Sequence, residues 1–275
     1  MKNFFIIIIL LIISFVGNSQ NIFDSLHTAQ YASYLFNNQQ YNLAITEYER
    51  LVFLSPNNEQ AKLQLIKSYR KTEQFGNGIN RLDLFQANEN FVMTNDFSNE
   101  YVKLLLLDKQ NLKAEYFIRQ SNILNQTQKN EYTLSVFLLD RNYSKSNNFI
   151  LENKVQTDYY KSLVEISNSA QNIKYKNPFM AMFLSVFVPG LGKVYTNDWK
   201  DGLISIFFIG VNGYQSYRYF DKHGTKSVLG WAFAGISFGF YTGNIYGSFK
   251  SAKRYNNRQD YEIQQRVEKT VFGNF

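Results

Sequence analysis

Apolar residues are not spread along this chain; they are gathered at its two ends. Residues 1–19 are almost wholly apolar, residues 20–172 are mixed and polar, and residues 173–275 combine long apolar runs with basic flanks. Charge divides along the same lines. The middle region holds 15 Lys/Arg against 16 Asp/Glu, and the C-terminal region 13 against 6. The net charge of +7 therefore belongs to the apolar end, where basic residues beside apolar runs read as membrane-flanking anchors. A nucleic-acid surface would be expected on the polar region, which is not basic, so no nucleic-acid partner is expected. The chain has no cysteine, which excludes disulfides, thiolate metal sites and cysteine nucleophiles.

The N-terminus has the three parts of a secretory leader. Lys2 supplies the positive charge, residues 4–16 form an apolar run broken only by Ser14, and Gly17, Asn18 and Ser19 offer small residues for cleavage. The run falls short of the roughly 20 residues that span a bilayer. A leader over residues 1–19 is expected, with the mature chain starting near Gln20.

Within residues 20–172 the strongest signal is Tyr41 to Leu51 followed by Pro56. Ala44, Tyr48, Leu51 and Pro56 stand at spacings of four, three and five. This resembles the second half of a tetratricopeptide repeat, in which a small residue, an aromatic, a small or apolar residue and a proline hold those positions. Tyr31, Ala32 and Leu35 fit its first helix, while Thr28 stands where the family has tryptophan. The resemblance implies antiparallel helix pairs that stack at a period near 34 residues and present a protein-binding surface. Gly78, Ala114 and Ser146 continue the series of small residues, with Leu65, Ile66, Tyr69, Leu82, Tyr101, Leu105 and Ile118 as apolar support. An ordinary helical bundle is the other reading of the same residues.

The C-terminal region offers three candidate spans, residues 178–195, 203–220 and 228–247. The last two have the length of a hydrocarbon core. The first is interrupted by Pro189 and reads either as a kinked span or as a re-entrant hairpin. Pro189, Gly190, Gly192 and Tyr195, followed by Trp199, Lys200 and Gly202, resemble the turn of the bacterial TM2-like membrane family, including its DUF5683-type members. Lys193 stands where that family commonly has glutamine. The resemblance implies a multi-span membrane domain and no particular activity. Tyr195 and Trp199 suit a lipid–water interface.

Gly235, Gly239, Gly243 and Gly247 recur every four residues in the third candidate span. Small residues at that spacing let helices approach closely, either within the chain or between two copies. Asn212 and Asn244 are polar residues inside apolar segments, expected to hydrogen-bond between helices. Lys250, Lys253, Arg254 and Arg258 then open a basic tail over residues 248–275, which the positive-inside bias assigns to the cytoplasm.

The expected fold is all-α: a helical-hairpin repeat solenoid followed by a small multi-span helical membrane domain. His27 and His223 are the only histidines, neither at a metal-ligand spacing, and no nucleophile–base arrangement stands out, so no enzyme, cofactor or metal is expected. The expected role is a scaffold of a bacterial inner membrane, its repeats binding a periplasmic protein or peptide. Its membrane helices would contact lipid and join copies into a homo-oligomer. The alternative is a component of an envelope transport system whose membrane domain handles a solute or lipid.

Overall fold

The computed structural model describes residues 24–153 and 156–275. The leader over residues 1–19 lies outside the described residues. Among the described residues there are thirteen α-helices and no strand, in keeping with the all-α expectation. Among the described residues no helix is long and apolar enough to cross a membrane. Contacts divide the chain into two compact units, meeting between Tyr132 and Thr133.

The first unit is built of hairpins: α1 (Ser25–Asn37) with α2 (Tyr41–Leu54), α3 (Glu59–Lys71) with α4 (Phe75–Gln86), and α5 (Asn95–Leu107) with α6 (Asn111–Gln120). Each hairpin turns through one left-handed residue: Gln39 at φ 60°, Glu73 at 59° and Lys109 at 60°. The following amide then reaches back five residues. Gln40 N donates to Leu35 O at 2.9 Å, Gln74 N to Tyr69 O at 3.0 Å and Gln110 N to Leu105 O at 2.8 Å. This is the Schellman helix end, which satisfies carbonyls that the helix leaves orphaned. Five residues beyond each turn stands the small residue read from the sequence. Ala44 and Ala114 are fully buried. A methyl group on Gly78 would lie 3.0 Å from Leu104 Cδ1, so glycine there lets the helices close. Pro56 sits exposed between α2 and α3, where it ends the first helix, and Asn58 begins the second by accepting from Ala61 N at 2.9 Å.

Two repeated polar links join successive hairpins of this unit. Glu49 accepts from Tyr69 Oη at 3.0 Å and from Arg81 at 2.5 Å. One repeat on, Asp83 accepts from Tyr101 Oη at 2.7 Å and from Lys113 at 3.0 Å. The series stops at Glu115, whose carboxylate Arg119 of the same helix holds. Tyr69 is pushed up to about 12, chiefly by burial and then by its bond to Glu49.

The boundary between units falls inside α7 (Gln126–Leu139). The second unit holds the last turns of α7 with α8 (Tyr143–Glu152) and α9 (Asp158–Gln171). The same turn recurs there, with Arg141 at φ 56° and Asn142 N donating to Phe137 O at 2.8 Å. Ser146, its small residue, is fully buried and bonds Ser167 at 2.6 Å. Then come α10 (Pro178–Phe187), α11 (Leu191–Tyr195), α12 (Trp199–His223) and α13 (Val228–Gly273).

Residues 178–195 are not one kinked span. They form two short helices, of 10 and 5 residues, around a break at residues 188–190. Ten residues rise about 15 Å, half a hydrocarbon core. Nor is the basic tail a separate segment. It is the second half of α13, a continuous helix of 46 residues. Ile263, Val267 and Val271 give it a buried stripe, and α13 packs on α9. Arg266 pairs with Glu165 at 3.5 Å, Arg141 bonds Gln264 at 3.3 Å, and Tyr175 Oη donates to Asp260 at 2.5 Å.

Candidate functional site

In the repeat unit, α1, α2 and α3 enclose a cleft of about 350 Å³. Its walls mix apolar Ala29, Phe36 and Leu51 with Ser33, Asn37, Asn58, Gln60 and Gln64. Tyr48 and Leu51 line it from α2 and are otherwise buried, so the repeat-packing residues also form its floor. Gln64 Oε1 is buried there without a hydrogen-bond partner. A second cleft, of about 640 Å³, lies between α1 and α2 beside Tyr31, Tyr34 and Arg50.

The C-terminal bundle of α10–α13 inverts the usual polarity. Its exterior carries exposed Phe179, Phe183, Phe187, Leu203, Ile204, Phe207, Trp231 and Phe238, each more than half exposed. Its interior carries Ser185, Thr196, Ser216, Asn244, Ser248 and Ser251, all buried. Ser185 bonds Ser248 at 2.7 Å and accepts from Gly192 N at 3.0 Å. Thr196 bonds Ser251, and Ser251 donates to Asp198, which Arg254 reaches at 3.2 Å.

The turn motif is what brings these elements together. Pro189 ends α10, and Gly190 takes φ 85°. A methyl group on Gly190 would meet Gly202 O at 2.6 Å, and one on Gly192 would overlap the carbonyl of Ala181. These glycines therefore let backbones touch. Tyr195 Oη accepts from Asn177 N at 3.3 Å, and Lys176 lies over its ring. Trp199 and Lys200 are exposed and lie against each other. No protein-family model, curated protein or solved structure matches this chain.

Among the described residues, three of the four glycines of this face meet no other element. A side chain at Gly235, Gly239 or Gly243 would meet nothing within 4 Å, and only Gly247 nears another element, through Lys193. A helix turns in 3.6 residues, so strict four-residue spacing drifts about 40° per step and leaves the seam. The actual seam of α13 alternates steps of four and three: Gly230, Ala234, Ser237, Tyr241, Asn244, Ser248 and Ser251. Ser237 Oγ donates to Ile209 O at 2.9 Å, Tyr241 Oη to Val186 O at 2.7 Å, and Ser216 Oγ to Gly230 O at 2.9 Å. The sequence held this signal as a near-heptad of small and polar residues. Asn212 bonds only its own helix, at Phe208 O, 2.7 Å. Asn244 is buried with neither side-chain amide atom partnered.

Among the described residues no His/Cys/Asp/Glu group could hold a metal ion. His27 bonds the helix-capping Asp24 at 2.8 Å, and His223 stacks on Tyr219. Asp24 is held below the usual carboxylate range, first by the backbone amide of His27.

Proposed function

We propose that this chain is a membrane-anchored binding protein whose TPR-like hairpins hold an extended peptide or protein segment. The inverted C-terminal bundle carries the reading. In water, so many exposed large apolar side chains on one small bundle would drive aggregation. In lipid they are at home, and the hydroxyl-rich interior supplies the hydrogen bonds that hold membrane helices together. The hydropathy of α12 and α13 is lowered by residues of that interior and by glycine and tyrosine. No charge lies between residues 203 and 217 or between 228 and 249. α10 and α11 are read as a re-entrant hairpin in the manner of TM2-like domains, and α12 and α13 as two crossings of an inner membrane.

Two crossings put both flanks on one side, an arrangement that the packing of the tail on α9 supports. The leader in the sequence makes that side the periplasm, against the Lys/Arg bias of the tail. Resistance to alkaline carbonate extraction tests the anchor; release of the full-length chain into the supernatant overturns it. Single cysteines at Asn57 and Asn257, labelled with an impermeant thiol reagent, test the sidedness. Both should react in cells with a permeabilised outer membrane. Reaction at one alone defeats the two-crossing arrangement.

The cleft supports the binding role, because Gln64, Asn37 and Asn58 offer amide groups that suit a peptide backbone. Asn244 favours a second reading, an envelope transport component. An unpartnered amide inside a membrane helix seam marks a place where a polar solute could pair.

A further inference from the structure

Five cations stand where the apolar exterior of the C-terminal bundle ends, and among the described residues none forms an ion pair. Each lies over an aromatic ring. Lys176 is 4.6 Å from the centre of Tyr195 and 5.8 Å from that of Tyr255. Lys250 lies 4.8 Å from Tyr246, Lys253 4.7 Å from Phe249, Arg258 5.7 Å from Tyr255 and Lys200 5.7 Å from Trp199. Packing gathers three separate chain segments at this rim. Lys176 N donates to Asn256 Oδ1 at 2.8 Å, and Asn256 returns a bond to Lys176 O at 2.9 Å. Arg254 ties α13 to Asp198 at the start of α12.

The carboxylates of the rim are already engaged. Asp198 holds Ser251 and Arg254, Asp201 lies 4.0 Å from Arg254, and Asp260 accepts from Tyr175. The rings hold the charged heads at a fixed level beside the exposed apolar side chains, with aliphatic stems lying along aromatic faces. A ligand that complements this rim has a negative charge and an apolar body continuous with it.

We propose that the rim is a binding surface for anionic phospholipid, with headgroups meeting Lys176, Lys250, Lys253 and Arg258 and acyl chains lying along the neighbouring apolar exterior. This rests on the membrane reading above and adds a lipid class to it.

The test uses full-length protein in mild detergent, with lipid retention read by native mass spectrometry. Phosphatidylglycerol should be retained over phosphatidylcholine by about tenfold, as expected for several cations acting at a charged surface, and the preference should shrink as salt is raised. Joint replacement Lys176→Gln, Lys250→Gln, Lys253→Gln and Arg258→Gln should abolish the preference. Lys222→Gln with Lys226→Gln, at the opposite end of α12, should leave it intact. Equal retention of the two lipids by the wild type overturns the proposal, as does a preference that survives the fourfold replacement. Full competition by inorganic phosphate overturns it too, by assigning the rim to a soluble anion. The wild-type lipid comparison and its salt dependence stand even if the fourfold variant does not fold. Protein that resists carbonate extraction yet shows no lipid preference defeats this inference alone; protein released by carbonate defeats the membrane reading beneath it.

Discussion

The two regions of this molecule solve the same packing problem with opposite chemistry. In the repeat unit the interior is Leu65, Ile66, Leu82, Leu104 and Leu105, all fully buried, and carboxylate–tyrosine–cation links join the hairpins. In the C-terminal bundle the interior is serine, threonine, asparagine and glycine, and the large apolar side chains face out. The first arrangement draws on the hydrophobic effect, which rewards burial from water. On the membrane reading proposed above, the second gains little from that effect. Its helices are held by close backbone approach at Gly190, Gly192 and Gly202 and by hydroxyl bonds along the α13 seam. Each interior is legible only against the solvent outside it.

The largest test of the contrast is at Gly192. Leucine there would drive into the α10 backbone, and overpacking of this kind costs about 3 kcal/mol or more when backbone must move. Gly192→Leu should all but abolish folded protein in the membrane fraction, read as steady-state level and detergent melting. A wild-type level would mean that α10 and α11 are not packed as described.

Next is one substitution made on both exteriors. Phe53 and Phe207 are both exposed, at 82% and 62%. If only the second faces lipid, Phe207→Asp should weaken membrane insertion by about 3 kcal/mol, and Phe53→Asp should change stability by less than about 0.5 kcal/mol. Insertion assays and melting curves on the pair decide it. Equal, small effects would remove the membrane from the comparison.

A smaller effect separates seam from stripe. Ser237 faces α12, whereas Gly239 faces open space. Ser237→Leu should lower detergent stability by about 2 kcal/mol, and Gly239→Leu should leave the monomer within about 0.5 kcal/mol of wild type. A crosslinked dimer lost in Gly239→Leu, with the monomer unharmed, would assign the glycine stripe to contact between copies.

The smallest is a pH effect at Tyr69 of the repeat unit. The Tyr69 phenol is raised from 10.0 to about 12, so the folded state favours its neutral form. That contribution is fully present below pH 10 and is lost as pH rises through about 12. Spectroscopic titration of tyrosinate should show a late phase shared by Tyr69 and Tyr175, of which the Tyr69 part moves back toward pH 10 in Glu49→Gln. Burial, the larger cause, should keep it from returning all the way.

Local signals were legible in the sequence because neighbouring residues carry them. The small residues Ala44, Gly78, Ala114 and Ser146 mark the four hairpins, and each stands five residues past a left-handed turn. That turn was harder to see, because Gln39, Glu73, Lys109 and Arg141 occupy a position where glycine would have announced it. The motif around Pro189 and Gly190 marked a break in the first apolar run, since proline cannot continue a helix and glycine accepts φ 85°.

What the sequence by itself determined is therefore the menu of helices, their breaks and the uneven placement of apolar residues. Only the tertiary structure decided which face of α13 is its seam, because four-residue and alternating four-three patterns coexist on that helix and only a neighbour selects between them. It alone placed the basic tail on α9, through partners such as Glu165 and Arg266 that are far apart in the chain. It alone left Asn244 buried and unpartnered. Turns, caps and breaks are fixed by bonds within a few residues, whereas the choice of packing face depends on which distant surfaces meet.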